Sequence, residues 1–442
     1  AVDRRDFMHL FSTSALLAST ASCLKRPEEK ALPYANQPVD QVPGMPTYYA
    51  TTCGECSAGC GVIVKTREGR PVKIEGSPEH PLSQGATCAL GQSTLQALYH
   101  PERRKMPIVR RGRRTDEAEW NDVFTLLGSR IKKTRKIGIL VGGATGNQHR
   151  FLKTWLRHMG SSETDLYTYD SNQLYSATAA AHQLAFGTDG LPRADLRNTE
   201  LIVGIGSDFL DLGISPVSNS KNFAASHAYR GGRMGKLVQF ESGMSQTGAR
   251  ANDRYTISPG QEIFVALHIV KELLEHKSSK GSSGERATMQ RVLGQNKDLM
   301  SQAQFNFHKS IFSDIADALI KQRSVVLVGG SQNFDENATQ LQLAGIMINV
   351  LIGAYGSTLH FDNGWLPSPV NPGDMSRFLK QAGKLDALFI IGVNPAFTLP
   401  QSSGFTKVLK KIENVVSVQS MPCETDNHAN FVLNGHHYLE SW

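Results

Sequence analysis

The stretch Thr51–Val64, TTCGECSAGCGVIV, carries three cysteines on one short glycine-rich segment: Cys53, Cys56 and Cys60. Cys88 follows in GATCALG, so the full pattern is C-x2-C-x3-C-x27-C. Three thiolates on a tight loop can hold three corners of an iron–sulfur cubane, and the fourth corner is then filled from elsewhere in the chain. The pattern predicts one [4Fe-4S] cluster on these four cysteines.

Two other interpretations of the cysteines stay open at this point. A structural zinc site is one, although zinc sites typically use paired C-x2-C knuckles rather than a trio plus one distant cysteine. Disulfides are the other, although a disulfide framework typically spreads its cysteines over a small secreted domain. Four of the six cysteines fall here within one segment of a 442-residue chain, which favours a metal centre.

The chain between the third and fourth cysteines predicts a small hairpin. Alternating apolar residues indicate strands around Val62–Val64 and Val72–Ile74, with a turn at Glu68–Gly69. Such a hairpin returns the chain and delivers Cys88.

The N-terminus has the features of an export signal. Residues 3–8 read DRRDFM, and a short, weakly apolar stretch runs from Leu10 to Ala21. An adjacent arginine pair before such a stretch indicates a twin-arginine signal, assigned to residues 1–24. Twin-arginine export moves folded proteins, so the signal agrees with a metal centre further along, on the periplasmic side of the cytoplasmic membrane.

The end of that signal leaves a choice between lipid attachment and ordinary cleavage. Cys23 follows small residues in TASC, which makes it a lipidation candidate; cleavage near Ala21 is the alternative. Residues 25–48 are rich in proline and polar residues and are predicted to form a tether.

The charge pattern favours protein surfaces over nucleic acid. Lys and Arg exceed Asp and Glu by 47 to 40, and much of the excess falls in residues 101–114, PERRKMPIVRRGRR. This run could dock a partner, but a solvated surface crossover is the favoured interpretation. No aromatic residues interleave with the basic ones, so nucleic-acid binding is not expected.

The remainder of the chain, residues 116–442, predicts α/β lobes with doubly wound parallel sheets. Short β-branched runs bounded by turn residues alternate with longer amphipathic segments, for example Glu262–Leu274 and Thr339–Leu351. The runs are KIGILVGG, TELIVGIGSD, KLVQFES, SVVLVGGSQ, DALFIIGVNP and VVSVQS. Residues 276–286 predict a flexible surface insertion. No G-x-G-x-x-G is present, which argues against an NAD site.

These segments resemble a known family. The cysteine pattern followed by YHPERRKMPIVRRG resembles the N-terminal iron–sulfur segment of the molybdopterin (Mo/W bis-guanine-dinucleotide) oxidoreductases, which assigns residues 49–115 to the cluster segment. Later segments of the chain are similar in sequence to the B subunit of alternative complex III. These segments are GIGSDFLDLGISPV, FIIGVNPAFTLP and ETDNHANFVLNGHHYLESW. The resemblance covers nearly the whole chain from about residue 46.

The resemblance implies an iron–sulfur electron-transfer or scaffold subunit of a membrane-associated, quinol-oxidising respiratory complex. In that B subunit the molybdopterin-like half is regarded as lacking the pterin. The implied partners are a ferredoxin-like iron–sulfur half or subunit, cytochrome c subunits and integral membrane quinol-binding subunits. No further C-x2-C-x2-C run follows HHYLESW, so the ferredoxin-like half is expected to be truncated, split off or lost.

The alternative is a catalytic molybdopterin oxidoreductase acting on polysulfide, an oxyanion or formate. Many family members have Lys or Arg two residues after the fourth cysteine, where this chain has Leu90, and this departure puts the pterin half of the relay in doubt. Asp170 and Ser171 lie roughly where a metal ligand could fall, although a plain polar loop is the favoured interpretation. The late histidines, His428, His436 and His437, are interpreted as dispersed surface residues.

Overall fold

The computed structural model describes residues 3, 41–112, 114–143, 146–171, 175–188, 190–229, 231–232, 234–330, 337–361 and 370–440. The predicted export signal, with Cys23 and most of the tether, lies outside these residues. The chain divides into a small unit, Ala1–Thr47 with Arg67–Gly69, and a large one, Tyr48–Thr66 with Arg70–Trp442. In the small unit the backbone N–H of Gly44 donates to Glu68 Oε1 at 3.1 Å.

The described residues contain sixteen strands. They are β1 Thr47–Thr52, β2 Gly61–Arg67, β3 Arg70–Gly76, β4 Ile108–Arg111, β5 Arg114–Glu117, β6 Ile137–Val141, β7 Leu166–Thr168, β8 Arg193–Ala194, β9 Leu201–Ile205, β10 Lys236–Glu241, β11 Asp253–Thr256, β12 Ser324–Val328, β13 Leu359–His360, β14 Ala387–Ile391, β15 Asn414–Gln419 and β16 Phe431–Asn434.

The same residues contain thirteen α-helices. They are α1 Ala89–Leu98, α2 Trp120–Ile131, α3 Gly146–His158, α4 Ser176–Phe186, α5 Pro216–His227, α6 Glu262–Glu275, α7 Ser283–Gln295, α8 Lys297–Gln302, α9 Ser310–Lys321, α10 Ala338–Ile352, α11 Asp374–Gln381, α12 Pro395–Thr398 and α13 Phe405–Leu409. Short 3-10 turns are Glu163–Asp165, Gly248–Arg250, Ala382–Lys384, Gln401–Ser403, Glu424–His428 and Tyr438–Glu440.

The cysteine segment forms a three-stranded sheet in the order β1-β2-β3. Strands β2 and β3 are the predicted hairpin, and the two residues between them, Glu68 and Gly69, have φ of 47° and 75°. Positive φ at both central residues is the geometry of the two-residue turn that matches strand twist. The inward side chains Val62, Val64 and Ile74 are buried, so the sheet has its own small core.

Two parallel sheets follow, and their strand orders confirm the doubly wound α/β expectation. The four-stranded sheet has the order β11-β10-β9-β12, and all its pairings are parallel. In the seven-stranded sheet, β7-β6-β14-β15-β16 are parallel neighbours. The chain order reverses between β9 and β12 and again between β6 and β14. Ligands of such sheets bind at these reversals, outside the carboxyl ends of the strands.

The six apolar runs singled out in the sequence are β6, β9, β10, β12, β14 and β15. Strands β6 and β9 are buried at every position, as expected for parallel strands covered by helices on both faces. The two predicted amphipathic segments are helices α6 and α10, which pack against the four-stranded sheet in the largest hydrophobic cluster.

The basic run at residues 101–114 is not a solvated crossover. It continues into β4 and β5, an antiparallel hairpin that extends the seven-stranded sheet beside β16. The α/β region therefore begins before residue 115, where the sequence placed the boundary. The four-residue strand Ile108–Arg111 is too short for its alternating pattern to predict a strand. Its pairing with β16, more than 300 residues further along the chain, is what makes it one.

Two partly buried arginines of the same run contact Asp426. Arg104 Nη2 lies 2.6 Å from Asp426 Oδ2, and their side chains are 12% and 1% exposed. The Asp426 carboxylate also accepts from Ser417 Oγ at 2.7 Å and from the backbone N–H of Cys423 at 3.1 Å. Arg110 donates to the backbone carbonyl of Asp426. These contacts tie the run to the 3-10 turn after β15.

The predicted flexible insertion, residues 276–286, is partly helical. Its second half begins helix α7, where Ser282 Oγ accepts from the backbone N–H of Glu285 and the Glu285 carboxylate accepts from Ser282 N. This reciprocal capping box is typical of the start of a helix. The Ser/Gly-rich composition of the segment favoured a flexible loop instead. No helix in the described part of the chain is long and apolar enough to cross a membrane.

Breaking the buried ion pair at Asp426 is expected to destabilise the protein strongly. Asp426→Ala leaves Arg104 buried and unpaired, which costs roughly 3–5 kcal/mol. Asp116→Ala is the matched control, because Asp116 pairs with Arg114 on the surface at 38% and 79% exposure and its loss costs under about 1 kcal/mol. Equal shifts of the urea midpoint for the two variants would contradict this ranking.

Candidate metal centre

The three clustered cysteines lie on the loop between β1 and β2. The backbone N–H of Cys53 donates to the carbonyl of Cys60 at 2.8 Å, which closes the loop. Cys53 and Cys60 are each 8% exposed, whereas Cys56 is exposed. Gly59 has φ of +61°, a conformation that few other residues adopt easily, and it turns the chain between Cys56 and Cys60.

The hairpin and the turn after it bring the fourth cysteine to this loop. Ser83 Oγ donates to the carbonyl of Gly61 at 2.8 Å, which fixes the return segment. Gly76 lies so close to that segment that a Cβ there would meet the carbonyl oxygen of Ala86 at 2.1 Å. Cys88 then occupies the N-cap position of helix α1.

The electrostatics show that the four thiols are neighbours. Burial raises the pKa of Cys60 to about 11, and the charges of Cys56, Cys53 and Cys88 add to the rise. Burial is also the main cause that raises the pKa of Cys53 and of Cys56. Without metal, these three thiols are neutral at pH 7. Iron binding has to displace their protons, and the iron charges then offset the repulsion among the thiolates.

The donor set fits a [4Fe-4S] cluster. All five described cysteines are free thiols, and four of them share this site, while Cys423 lies elsewhere, beside Asp426. Four thiolates are the complete ligand set of a cubane, in which each binds its own iron. A zinc site instead places four ligands around one ion at about 2.3 Å. Within the described ranges, no group of three or more His, Cys, Asp or Glu residues forms a site for a single metal ion.

The 3-10 turn Tyr438–Glu440 packs against the cysteine loop, a contact that the sequence did not predict. Tyr438 OH lies 3.9 Å from Cys53 Sγ. His437 is 8% exposed, and its Nε2 lies 3.0 Å from Thr94 Oγ1 of helix α1. The interpretation of His437 as a surface residue was therefore wrong, whereas His436 is exposed. No ligand-type spacing marked His437, because its partners are distant in the sequence.

The cysteine loop opens on a cleft at the chain reversal of the seven-stranded sheet. The cleft has a volume of about 620 Å³. Its lining includes Cys53 and Cys56, Leu90 of helix α1, and the loops that follow β6, β7 and β14. Leu90, which replaces the basic residue of many family members, is 56% exposed.

Both candidate ligand residues of the polar loop line this cleft. Asp170 Oδ2 accepts from the backbone N–H groups of Tyr175 and Ser176 at 2.7 and 3.0 Å. Its carboxylate thus holds the start of helix α4, which agrees with the plain-loop interpretation.

The charge of the cleft is negative. Glu55, Asp170 and Asp211 line it, and no Lys or Arg is among the described residues of the lining. Phosphate groups are typically held by Arg or Lys together with backbone N–H groups. The described side chains of the lining offer no such cation to a phosphate group.

A cysteine-loop domain in front of doubly wound α/β sheets, with a cleft between them, defines a class of iron–sulfur oxidoreductase. Residues 46–100 match the molybdopterin oxidoreductase Fe4S4 domain, and residues 103–441 match the molybdopterin oxidoreductase domain. The chain belongs to the molybdopterin oxidoreductase family.

Two relatives illustrate the similarity to characterised proteins. The chain is 25% identical to the "menaquinone reductase, molybdopterin-binding-like subunit" of Nitratidesulfovibrio vulgaris, over 89% of this chain and 59% of that protein. It is 26% identical to the formate dehydrogenase alpha subunit of Megalodesulfovibrio gigas, over 47% of this chain and 22% of that one. It thus spans about three-fifths of the first relative and a smaller share of the second.

The fold has a solved counterpart. Acetylene hydratase from Pelobacter acetylenicus superposes with a TM-score of 0.70, covering 88% of this chain and 63% of that one, at 12% identity. At that identity the likeness establishes the fold alone.

The cluster-free protein is expected to lose stability as the pH rises from about 9 to about 11. In that window the Cys60 thiol ionises in the unfolded chain, whose pKa is near 9.0, but not in the folded one, whose pKa is about 11. Unfolding then releases a proton, so the free energy of unfolding falls with pH, by at most about 3 kcal/mol. Chemical denaturation of the cluster-free protein at each pH measures it.

Cluster-free Cys60→Ser is the matched control for this pH series, because it lacks the titrating thiol. Its stability is expected to fall less steeply over the same window. Parallel profiles for the two proteins would contradict the assignment.

Proposed function

We propose that this chain is an iron–sulfur electron-transfer and scaffold subunit of a membrane-associated respiratory complex that exchanges electrons with quinone, and that it works without a pterin. The observation that carries the proposal is the cleft beside the cysteine loop. It lies where a cofactor would bind, yet Glu55, Asp170 and Asp211 line it and Leu90 stands at the position of the usual basic residue.

The physical argument against a pterin dinucleotide in this cleft is repulsion. Its phosphates would enter a partly desolvated space among carboxylates, where like charges at short range cost several times what they cost in water. No described cation of the lining offsets that cost. The α/β sheets would then serve as a scaffold that holds the cysteine loop and presents it to other subunits.

The cysteine loop supports a relay role. When bound, the cluster would accept and release one electron at a time. Cys53 and Cys60 are buried and keep water from one side of it, whereas Cys56 is exposed. A cluster with one exposed ligand has an edge at which a redox partner can approach closely. The direction of electron flow between quinone and acceptor would be set by those partners.

The proposed partners are a ferredoxin-like iron–sulfur half or subunit, cytochrome c subunits and integral membrane quinol-binding subunits. The relative from Nitratidesulfovibrio vulgaris is by name a subunit of a menaquinone reductase, which supports a multisubunit setting. Twin-arginine export to the periplasmic side of the membrane is part of this proposal, with attachment through partners or through a lipid on Cys23.

The second candidate function is catalysis by a pterin-bound metal. Gly142 and Gly143 line the cleft directly after β6, and glycines after parallel strands commonly let backbone N–H groups serve a phosphate. Asp170 and Ser171 lie in the same lining. The formate dehydrogenase relative shows that similar sequences occur in enzymes.

The two functions differ in molybdenum and pterin content. The protein should be purified anaerobically from a host that makes the molybdenum cofactor, with a catalytic formate dehydrogenase from the same host as loading control. We expect about four irons per chain and neither molybdenum nor pterin. Stoichiometric molybdenum with pterin, and dye-linked turnover of formate, nitrate or polysulfide, would establish the catalytic function instead.

A further inference from the structure

Tyr438 is placed to act on the cysteine loop from outside the cysteine motif. Its hydroxyl lies 3.9 Å from Cys53 Sγ, within hydrogen-bond distance for sulfur. Its ring lies over Gly54, where a Cβ would be 2.8 Å from the ring carbon Cδ1. The absence of a side chain at position 54 is therefore what lets the ring reach the loop.

A polar network holds the turn that carries Tyr438 against helix α1 and the cysteine loop. Thr94 of helix α1 is 1% exposed, and its Oγ1 contacts the Glu55 carboxylate as well as His437 Nε2 at 3.0 Å. The Thr94 hydroxyl donates its proton to the Glu55 carboxylate, and the Tyr438 hydroxyl donates to Cys53 Sγ. Burial raises the pKa of Tyr438, so the hydroxyl stays protonated at neutral pH.

An ion pair holds this 3-10 turn in place. Arg103 Nη1 donates to Glu440 Oε1 at 2.8 Å, and Glu440 Oε2 accepts from the backbone N–H of His437 at 3.0 Å. The Arg103 guanidinium is the main cause that lowers the pKa of Glu440 to about 2. The carboxylate is thus charged, and the turn anchored, throughout the neutral range.

We propose that Tyr438 is a positioning residue that tunes the iron–sulfur cluster, by donating a hydrogen bond from its hydroxyl to the Cys53 thiolate. The inference rests on the cluster of the proposed function but not on the absence of a pterin. It assigns to the turn after β16 a role in setting the reduction potential of the electron relay.

The sign of the effect follows from charge. A reduced cluster carries one more negative charge than an oxidised one, so a donated hydrogen bond stabilises the reduced state more. Hydrogen bonds to the sulfurs are among the factors that set the potentials of iron–sulfur clusters. The Tyr438 hydroxyl therefore raises the midpoint potential, and its removal lowers it.

The test is an EPR-monitored redox titration of the purified protein carrying its cluster. Tyr438→Phe removes the hydroxyl and keeps the ring, and a shift to a more negative midpoint potential is expected at unchanged iron content. Tyr99→Phe is the matched control. It deletes the hydroxyl of the tyrosine that follows helix α1, which donates to the carbonyl of Pro71 and not to a cysteine. Its potential should equal that of the wild type.

A second variant covers the case in which Tyr438→Phe does not retain its irons. Gly54→Ala keeps the hydroxyl but displaces the ring, so it should also lower the midpoint potential. A midpoint potential that is unchanged in the cluster-bearing variants, or that moves equally in Tyr99→Phe, would overturn the role of Tyr438. A wild-type protein without the reducible cluster signal would instead refute the proposed function on which the inference rests.

Discussion

The close approach of four cysteine thiols is the constraint on which the rest of this structure depends. Burial disfavours the charged form of these thiols and neighbouring thiolates repel one another, and both causes raise the pKa of Cys60 to about 11. The chain brings them together by backbone means, through the hydrogen bond from Cys53 N to the Cys60 carbonyl and the contact of Gly76 with Ala86. Iron bound by the four cysteines would offset the repulsion among their thiolates.

Two elements outside the cysteine loop support that gathering. Cys88 is the N-cap of helix α1, which carries Thr94 toward the loop, while the turn after β16 places Tyr438 on the loop from the far end of the chain. The ion pair between Arg104 and Asp426 fixes the basic run to the turn after β15. Residues more than 300 positions apart thus share one small core, so the iron–sulfur segment is built into the larger fold.

The sequence predicted those parts whose signal is local. The hairpin at Glu68–Gly69, six parallel strands and helices α6 and α10 follow from short-range periodicity and turn residues. What it missed depends on pairing across the chain. The strand Ile108–Arg111 resembles a charged surface run until β16 pairs with it, and His437 resembles a surface residue until Thr94 covers it.

The cleft illustrates how one fold can serve different chemistry. Its position at the chain reversal, and its glycines, are shared with sheets that bind nucleotides, whereas the charged side chains of its described lining are all acidic. Leu90 was visible in the sequence as a departure from the family pattern. The companion carboxylates Glu55 and Asp211 could not be assigned to the cleft before the fold was known, because they come from separate loops.

The central claim is that Cys53, Cys56, Cys60 and Cys88 hold one [4Fe-4S] cluster. It is tested most directly by iron, sulfide and zinc content together with the EPR spectrum of the dithionite-reduced protein, with Cys88→Ser and Cys423→Ser measured alongside. The account predicts about four irons and four sulfides per chain, no zinc, and a reduced-cluster signal that Cys423→Ser keeps and Cys88→Ser alters or loses. Stoichiometric zinc without iron, or an unchanged cluster in Cys88→Ser, would contradict it.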